Sequence, residues 1–266
     1  MTAEIVERVR RSSRYRDVDP HLLIRLAAEE LPRARNTDDA VKRVKRRLHQ
    51  AVGAFRGERR ADLLEAVRAS WRSDPGDATF RAACADVMRS HASTRERVPY
   101  LDTLYMRIWE TTGLPATLLD VGCGLGPMAV PWMGIGDATY LACDVDERPL
   151  ATVREFFALI GQPHSVVTMD AVGAVPGERA DVALLLKLVP TLDRQDPDAS
   201  GRLLRSLAVR HAVVTFPARS LGGRGKGMER TYRERLDRLV EESGRVSAIA
   251  EASVPNELVF VLTLDG

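Results

Sequence analysis

From residue 117 to the C-terminus the chain alternates short apolar runs with helical stretches, and this rhythm constrains the fold more than any other feature of the sequence. The runs cover 117–121, 139–145, 165–169, 181–188, 211–216, 245–252 and 257–264. Short apolar runs separated by amphipathic segments are the mark of βαβ units, whose crossovers put helices on both faces of a parallel sheet. The last two runs follow one another with no helical stretch between them. The expectation is an α/β fold with an open, mainly parallel, Rossmann-like sheet. Ligands of such sheets bind beyond the carboxyl ends of the strands, where a glycine turn lets backbone approach them closely.

Directly after the first run comes such a turn, Asp120-Val121-Gly122-Cys123-Gly124-Leu125-Gly126-Pro127. Its glycines are spaced G-x-G-x-G with proline next, unlike the G-x-G-x-x-G of dinucleotide sites. An acid at position 120 on an apolar strand resembles the arrangement in class I S-adenosylmethionine (SAM)-dependent methyltransferases. Asp144 ends the second run, where a carboxylate can accept from both ribose hydroxyls. Asp170 follows the third, placed to meet an adenine amino group, with the Ala171 amide beside it. Any one of them reads equally as a solvated loop acid. Three acids at successive strand ends point to SAM.

The first 112 residues read as helices. Asp19-Pro20 supplies an N-cap and a proline at the first helical position, and Leu22, Leu23, Leu26 and Leu31 recur until Pro32 ends the pattern. Asn36-Thr37 opens another helix, whose stripe Val41, Val44, Leu48, Val52 and Phe55 has spacings of three and four. Further stripes run through Leu63, Leu64, Val67 and Trp71, and from Phe80 to Met88. Ser93-Thr94-Arg95-Glu96 fits a capping box and predicts a helix from 93 to about 113. The division expected is a helical bundle over residues 1–90 and a cofactor-binding domain over 91–266, joined by the helix at 93–113.

Charge follows the same division. Residues 1–112 carry 23 Lys+Arg against 17 Asp+Glu, and the remainder 16 against 20, within an overall charge of +2. A basic first part suggests contact with a polyanion. Lys42, Arg43, Lys45, Arg46 and Arg47 fall between the apolar positions of one helix, which suits either phosphate contacts or an ordinary solvated face. Each phosphate neutralised steepens the salt dependence of binding by ~0.9 on a duplex. The three cysteines form no CxxC pair, which argues against zinc and against a disulfide framework. No metal site is expected. Neither a membrane span nor an apolar leader is legible, so a cytoplasmic protein, monomeric by expectation, is the reading.

The sequence resembles the aminoglycoside-resistance methyltransferases that modify N7 of a decoding-site guanine in 16S rRNA. The likeness extends over nearly the whole chain. It is carried by Asp39 to His49, Gly53-Ala54-Phe55, His91 to Arg97, Pro131-Trp132-Met133-Gly134, Leu184 to Lys187, Thr215-Phe216-Pro217 and Ser220 to Met228. The resemblance implies that Phe55, His91, Ser93, Thr94 and Arg97 reach the cofactor from the helical side, with Arg97 pairing with the methionine carboxylate. It further implies Gly122 and Gly124 in the turn, Asp144 on the ribose, Asp170 and Ala171 at adenine, and Leu186, Lys187 and Gln195 closing the site. The cations at 42–47, Lys187, Arg224, Lys226 and Met228 are implied in holding 16S rRNA of the 30S subunit. Relatives often lack some of the turn glycines, whereas Gly122, Gly124 and Gly126 are all present here.

Guanine N7 already exposes a lone pair, so its methylation needs no general base, and no catalytic residue of that kind is expected. Alignment of nucleophile, methyl carbon and sulfur is the main requirement, and proximity of this sort lowers a barrier by ~7–11 kcal/mol. The deep, narrow major groove of A-form RNA predicts that the target base is flipped out. Trp109 or Tyr105 could stack on it, although a core role fits each of them better. Two other readings compete: a small-molecule methyltransferase, which the basic helical part disfavours, and a SAM-binding RNA module without activity.

Overall fold

The computed structural model describes residues 1–53, 63–218 and 226–265. Three helices come first: α1 (Thr2–Arg10), α2 (Pro20–Glu30) and α3 (Thr37–Leu48), the last continuing as a π turn over His49–Gly53. Asp19 caps α2 by accepting from the His21 amide, and Asn36 caps α3 by accepting from that of Asp39. Each side chain satisfies one of the amides that a helix start leaves without a partner. The apolar sides of α1–α3 close on a core of their own that includes Ile5, Leu22, Leu26, Val44 and Leu48.

The next helices are α4 (Glu65–Ser70), α5 (Ala78–Arg89), α6 (Ala92–Arg95) and α7 (Leu101–Thr112). A bundle running to residue 90 is not what packs. Leu64, Val67, Phe80, Cys84, Val87 and Met88 belong to the core on one face of the sheet, together with Tyr105 and Ile108. By packing, the separate helical unit is α1–α3 alone. The helix expected from 93 to 113 is also divided, into α6, a short 3₁₀ turn at Val98–Tyr100 and α7. Pro99 has no amide to donate and disfavours helix at the residue before it. His91, not Ser93, stands at the N-cap, with no side-chain capping bond. The Ser93 hydroxyl is instead paired with His91 Nδ1 at 2.8 Å. The C-terminal limit agrees with expectation, since α7 ends at Gly113, whose φ of +71° suits glycine.

A sheet of seven strands follows: β1 (Thr117–Val121), β2 (Thr139–Asp144), β3 (His164–Thr168), β4 (Ala180–Leu186), β5 (Val209–Pro217), β6 (Val246–Val254) and β7 (Glu257–Leu264). Their order is β3-β2-β1-β4-β5-β7-β6, with β7 antiparallel to both neighbours. Between them lie α8 (Val130–Met133), α9 (Glu147–Ile160), α10 (Val189–Asp193), α11 (Ala199–Ser206) and α12 (Lys226–Ser243). Alternation along the strands builds the two cores. Leu118, Tyr140, Val182, Leu184 and Val213 face α5, α7 and α9, while Leu119, Cys143, Ala183, Leu185 and Val214 face α10–α12. The strand order reverses between β1 and β4, which opens a crevice at their carboxyl ends.

The helical unit is tied to the β2–α9 corner by backbone. Asp19 N donates to Val145 O and Glu147 N to Asp17 O, both at 2.8 Å. Among the described residues no helix is long and apolar enough to cross a membrane. Replacing Asp19 by alanine removes the α2 cap, and an unfolding titration in urea is expected to show a loss of about 1 kcal/mol.

Candidate active site

At the strand reversal lies a cavity of about 450 Å³. Its floor is the glycine turn after β1. Gly122 has φ +68° and Gly124 φ +52°, a left-handed region that side chains rarely adopt. Space is as restrictive as conformation, because a Cβ on Gly122 would lie 2.7 Å from Leu188 Cδ1 and one on Gly124 3.2 Å from His91 Cε1. The turn is fastened to β2: Gly122 N and Cys123 N both donate to Cys143 O, and Gly124 N donates to Asp144 Oδ2 at 2.9 Å.

Asp144 therefore leaves β2 with its carboxylate already oriented, its other oxygen accepting from Asp146 N at 2.9 Å. Burial raises its pKa to about 6, even though these amides favour the charged form. Asp120 lies beneath the turn with the Tyr140 hydroxyl donating to it at 2.8 Å, and burial lifts its pKa to about 7. It does not line the cavity. Asp170 and Ala171 form the wall beyond β3. The opposite wall holds His91, Ser93 and Glu96. Burial lowers the His91 pKa to about 4, so its ring is neutral at pH 7.

A cradle that side chains would fill, one carboxylate beside it and a second beyond the next strand make a fit for the nucleoside part of SAM. The ribosomal RNA methyltransferase (FmrO) family model matches residues 11–261. The chain belongs to this family. It is 39% identical to a 16S rRNA (guanine(1405)-N(7))-methyltransferase of Frankia casuarinae, over 96% of this chain and 91% of the relative. Its identity to the enzyme of that name from Micromonospora rosea is 36%, over 97% and 95%. The crystal structure of the 16S rRNA methyltransferase RmtF in complex with S-adenosyl-L-homocysteine superposes with a TM-score of 0.83 at 33% identity, covering 99% of this chain and 98% of that one. The family member described here is a SAM-dependent methyltransferase.

Several residues expected at the cofactor do line the cavity of this methyltransferase: His91, Ser93, Gly122, Gly124, Asp144, Asp170, Ala171, Leu186, Lys187 and Gln195. Phe55 and Arg224 lie outside the described residues, as does the side chain of Lys226. Thr94 does not reach the cavity; it is buried, and its hydroxyl donates to Met88 O at 2.6 Å. Met228, expected on the RNA, lines the cavity beside Tyr232.

The contacts of Arg97 are to protein. Its guanidinium is 4% exposed and does not line the cavity. Nε and Nη2 donate to the Glu257 carboxylate at 3.0–3.1 Å. That carboxylate also accepts from the Tyr100 hydroxyl at 2.9 Å and, through a short bond, from Thr215 Oγ1. Arg97 and its neighbours hold Glu257 below the usual carboxylate range against the effect of burial. Thr215 Oγ1 in turn accepts from Lys187 N at 2.9 Å, which steadies Lys187 at φ +58° at the edge of the cavity. Lys187 Nζ is 2.5 Å from Glu96 and 3.8 Å from Glu257. A chain of hydrogen bonds thus runs from Arg97 through Glu257 and Thr215 to the Lys187 backbone. Sequence spacing carries no signal for a partner 160 residues away.

Two cations of the basic helix are likewise paired within the protein. Arg43 donates to Glu30 at 2.7 Å, and Arg47 donates to Glu30, to Glu29 and to Gln195 O at 2.9–3.1 Å. These two cations are committed within the protein. Lys42 and Arg46 are exposed and Lys45 half-buried, and of the three Lys42 lies near enough to Asp38 to help lower its pKa. Trp109 donates to Met133 O at 2.7 Å, and Tyr105 is buried in the core, so the core reading holds for both.

Two outcomes are expected. Glu257→Ala leaves Arg97 charged and buried without its partner, and chemical denaturation is expected to show a loss of about 3–5 kcal/mol. The second concerns pH. An ionised Asp144 accepts hydroxyl hydrogen bonds and a protonated one accepts fewer, so its raised pKa predicts weaker S-adenosylhomocysteine binding by calorimetry as pH falls from 8 through about 6. In Asp144→Asn the affinity is expected to be lower at both ends of that range and to lose this dependence.

Proposed function

We propose that this methyltransferase binds SAM with its ribose on Asp144, its adenine at Asp170 and Ala171, and its methionine part along Gly122, Gly124 and the His91–Ser93 segment, and that it methylates N7 of guanine 1405 of 16S rRNA in the assembled 30S subunit. One observation supports this reading above the others. Ala51 and Val52, in the π turn that follows α3, line the same cavity as the strand ends, so its wall continues toward the helix that carries Lys42, Lys45 and Arg46. A metabolite would need no basic helix leading up to its site. The names of relatives aligned over nearly their full length point to the same base. The reading includes a single protomer acting in the cytoplasm, where 16S rRNA resides.

SAM supplies an electrophilic methyl group on a positively charged sulfur, which departs as a neutral thioether when the N7–carbon bond forms. The protein's own part is positional. Asp144, aimed by two backbone amides, fixes the nucleoside end. The left-handed turn at Gly122 and Gly124 brings backbone rather than side chains against the cofactor. Lys187, held by Thr215 and paired with Glu96, borders the space into which a flipped base enters. N7 already has its lone pair, and neutral His91 keeps a second positive charge away from the sulfonium. A methyl group at N7 adds bulk and a positive charge at the decoding site. That change removes a docking surface for aminoglycosides and confers resistance to them.

Incubation of the protein with labelled SAM and 30S subunits is expected to label 16S rRNA, with borohydride and aniline cleavage at guanine 1405. Label absent from 30S particles, or cleavage at another base, would overturn the assignment. In the triple variant Lys42→Ala, Lys45→Ala, Arg46→Ala, 30S binding is expected to weaken with a shallower salt dependence, by roughly 0.7–0.9 for each phosphate that is no longer neutralised. Cofactor binding is expected to persist.

A further inference from the structure

The adenine end of the cavity is completed by a residue of the helical unit. Arg25, on α2, reaches across to Asp170, with Nε on Oδ2 at 2.6 Å and Nη2 on Oδ1 at 3.1 Å. Nη2 also donates to Gln195 Oε1 at 2.9 Å, and Nη1 to Glu29 at 3.0 Å. The side chain is 18% exposed and that of Asp170 is 4% exposed, so this fork is largely removed from water. No spacing in the sequence singles out Arg25, and its local partner is Glu29, four residues on.

The acceptor positions of Asp170 show what the fork does. A carboxylate oxygen offers two lone-pair directions. Oδ1 of Asp170 accepts from Arg25 Nη2 and from Val172 N at 3.1 Å, and is therefore filled. Oδ2 accepts from Arg25 Nε and, among the described residues, from nothing else. One acceptor direction remains on a residue that lines the cavity. The backbone of Asp170 is equally fixed, its carbonyl accepting from Gly173 N and Ala174 N at 3.0 and 2.9 Å. The planar guanidinium, which binds a carboxylate through two parallel bonds, sets the carboxylate plane and hence the direction of the remaining lone pair. Gln195, the neighbouring wall residue, is held at both ends, its side chain by Arg25 and its carbonyl by Arg47.

We propose that Arg25 is a positioning residue for the cofactor's adenine, contributed by the α1–α3 unit, and that by aiming the last acceptor of Asp170 it makes the site select a 6-amino purine. The proposal rests on the SAM reading above. An adenine 6-amino group donates to Asp170 while its N1 accepts from the Ala171 amide. Hypoxanthine reverses both roles, presenting a carbonyl oxygen to the carboxylate and an N–H to the amide. Discrimination then depends on the carboxylate being locked in one plane, and Arg25 is the lock. The helical unit that carries the basic face of α3 is for the same reason part of the cofactor site.

The test is calorimetric titration of wild type, Arg25→Lys and Arg25→Met with S-adenosylhomocysteine and with S-inosylhomocysteine, each protein also being followed through thermal unfolding. Wild type is expected to prefer the adenine ligand by roughly tenfold or more, the scale of a hydrogen bond to a charged group. Arg25→Met is expected to lose most of that preference. Arg25→Lys, which keeps the charge and the aliphatic stem but not the fork, serves as the milder variant and is expected to fall between. A variant that unfolds cooperatively yet keeps the wild-type preference overturns the proposal, and so does an equal loss of affinity for both ligands, which marks a general structural role. Failure of wild type to bind S-adenosylhomocysteine at all overturns the SAM reading itself, and this proposal with it.

Discussion

The buried pair of Arg97 and Glu257 is the interaction on which the shape of the site depends. Removing two charges from water costs several kcal/mol for each ion, and the cost is offset only when geometry is good and the remaining hydrogen-bond positions are filled. Here they are filled by Arg97 through two nitrogens, by Tyr100 and by Thr215. The elements brought together are the 3₁₀ turn after α6, the start of β7 and the end of β5. Their meeting point decides where α6 stands, and α6 with its N-cap residue carries His91, Ser93 and Glu96 to the cavity. It also decides the backbone of Lys187 through Thr215. A left-handed lysine costs about 1–3 kcal/mol where nothing compels it, and the Thr215 hydroxyl is what engages its amide.

A second constraint joins the helical unit to the nucleoside wall. The bonds from Asp19 to Val145 and from Glu147 to Asp17 grip the backbone just after Asp144, while Arg25 grips Asp170. The acids at the ends of β2 and after β3 are thus both braced from the same side. The brace continues through Arg47, Glu29 and Glu30 into α3. The face of α3 and the cavity wall thus share one charged seam, most of it shielded from solvent.

Much of this architecture is legible in the order of the residues. The seven apolar runs correspond to the seven strands: the inner ones, buried on both faces, are apolar almost throughout, while the edge strands β3 and β6 stay partly exposed and are marked by their turn residues. The caps at Asp19 and Asn36 are legible because they are local, each side chain meeting an amide two or three residues on. The capping box at Ser93 misleads because the same four letters suit a different local use, in which Ser93 pairs with His91 and Pro99 breaks the helix. The bundle boundary misleads for another reason: an amphipathic stripe declares that a helix is covered but not by what. Phe80 and Val87 have the same spacing whether they face other helices or a sheet.

Sequence alone determined the α/β architecture, the glycine turn and the acids at the strand ends, since strand periodicity, glycine spacing and strand-end position are all properties of neighbouring residues. Tertiary structure alone decided which charges are spent and which are free. Arg97 pairs with Glu257, Arg43 and Arg47 with Glu30, and Arg25 with Asp170 in the cavity wall, where no pattern had placed it. The physical reason is that a long cation can bind any carboxylate within reach, and the partners of Arg25 and Arg97 lie 145 and 160 positions away along the chain. Only folding brings them within hydrogen-bond distance.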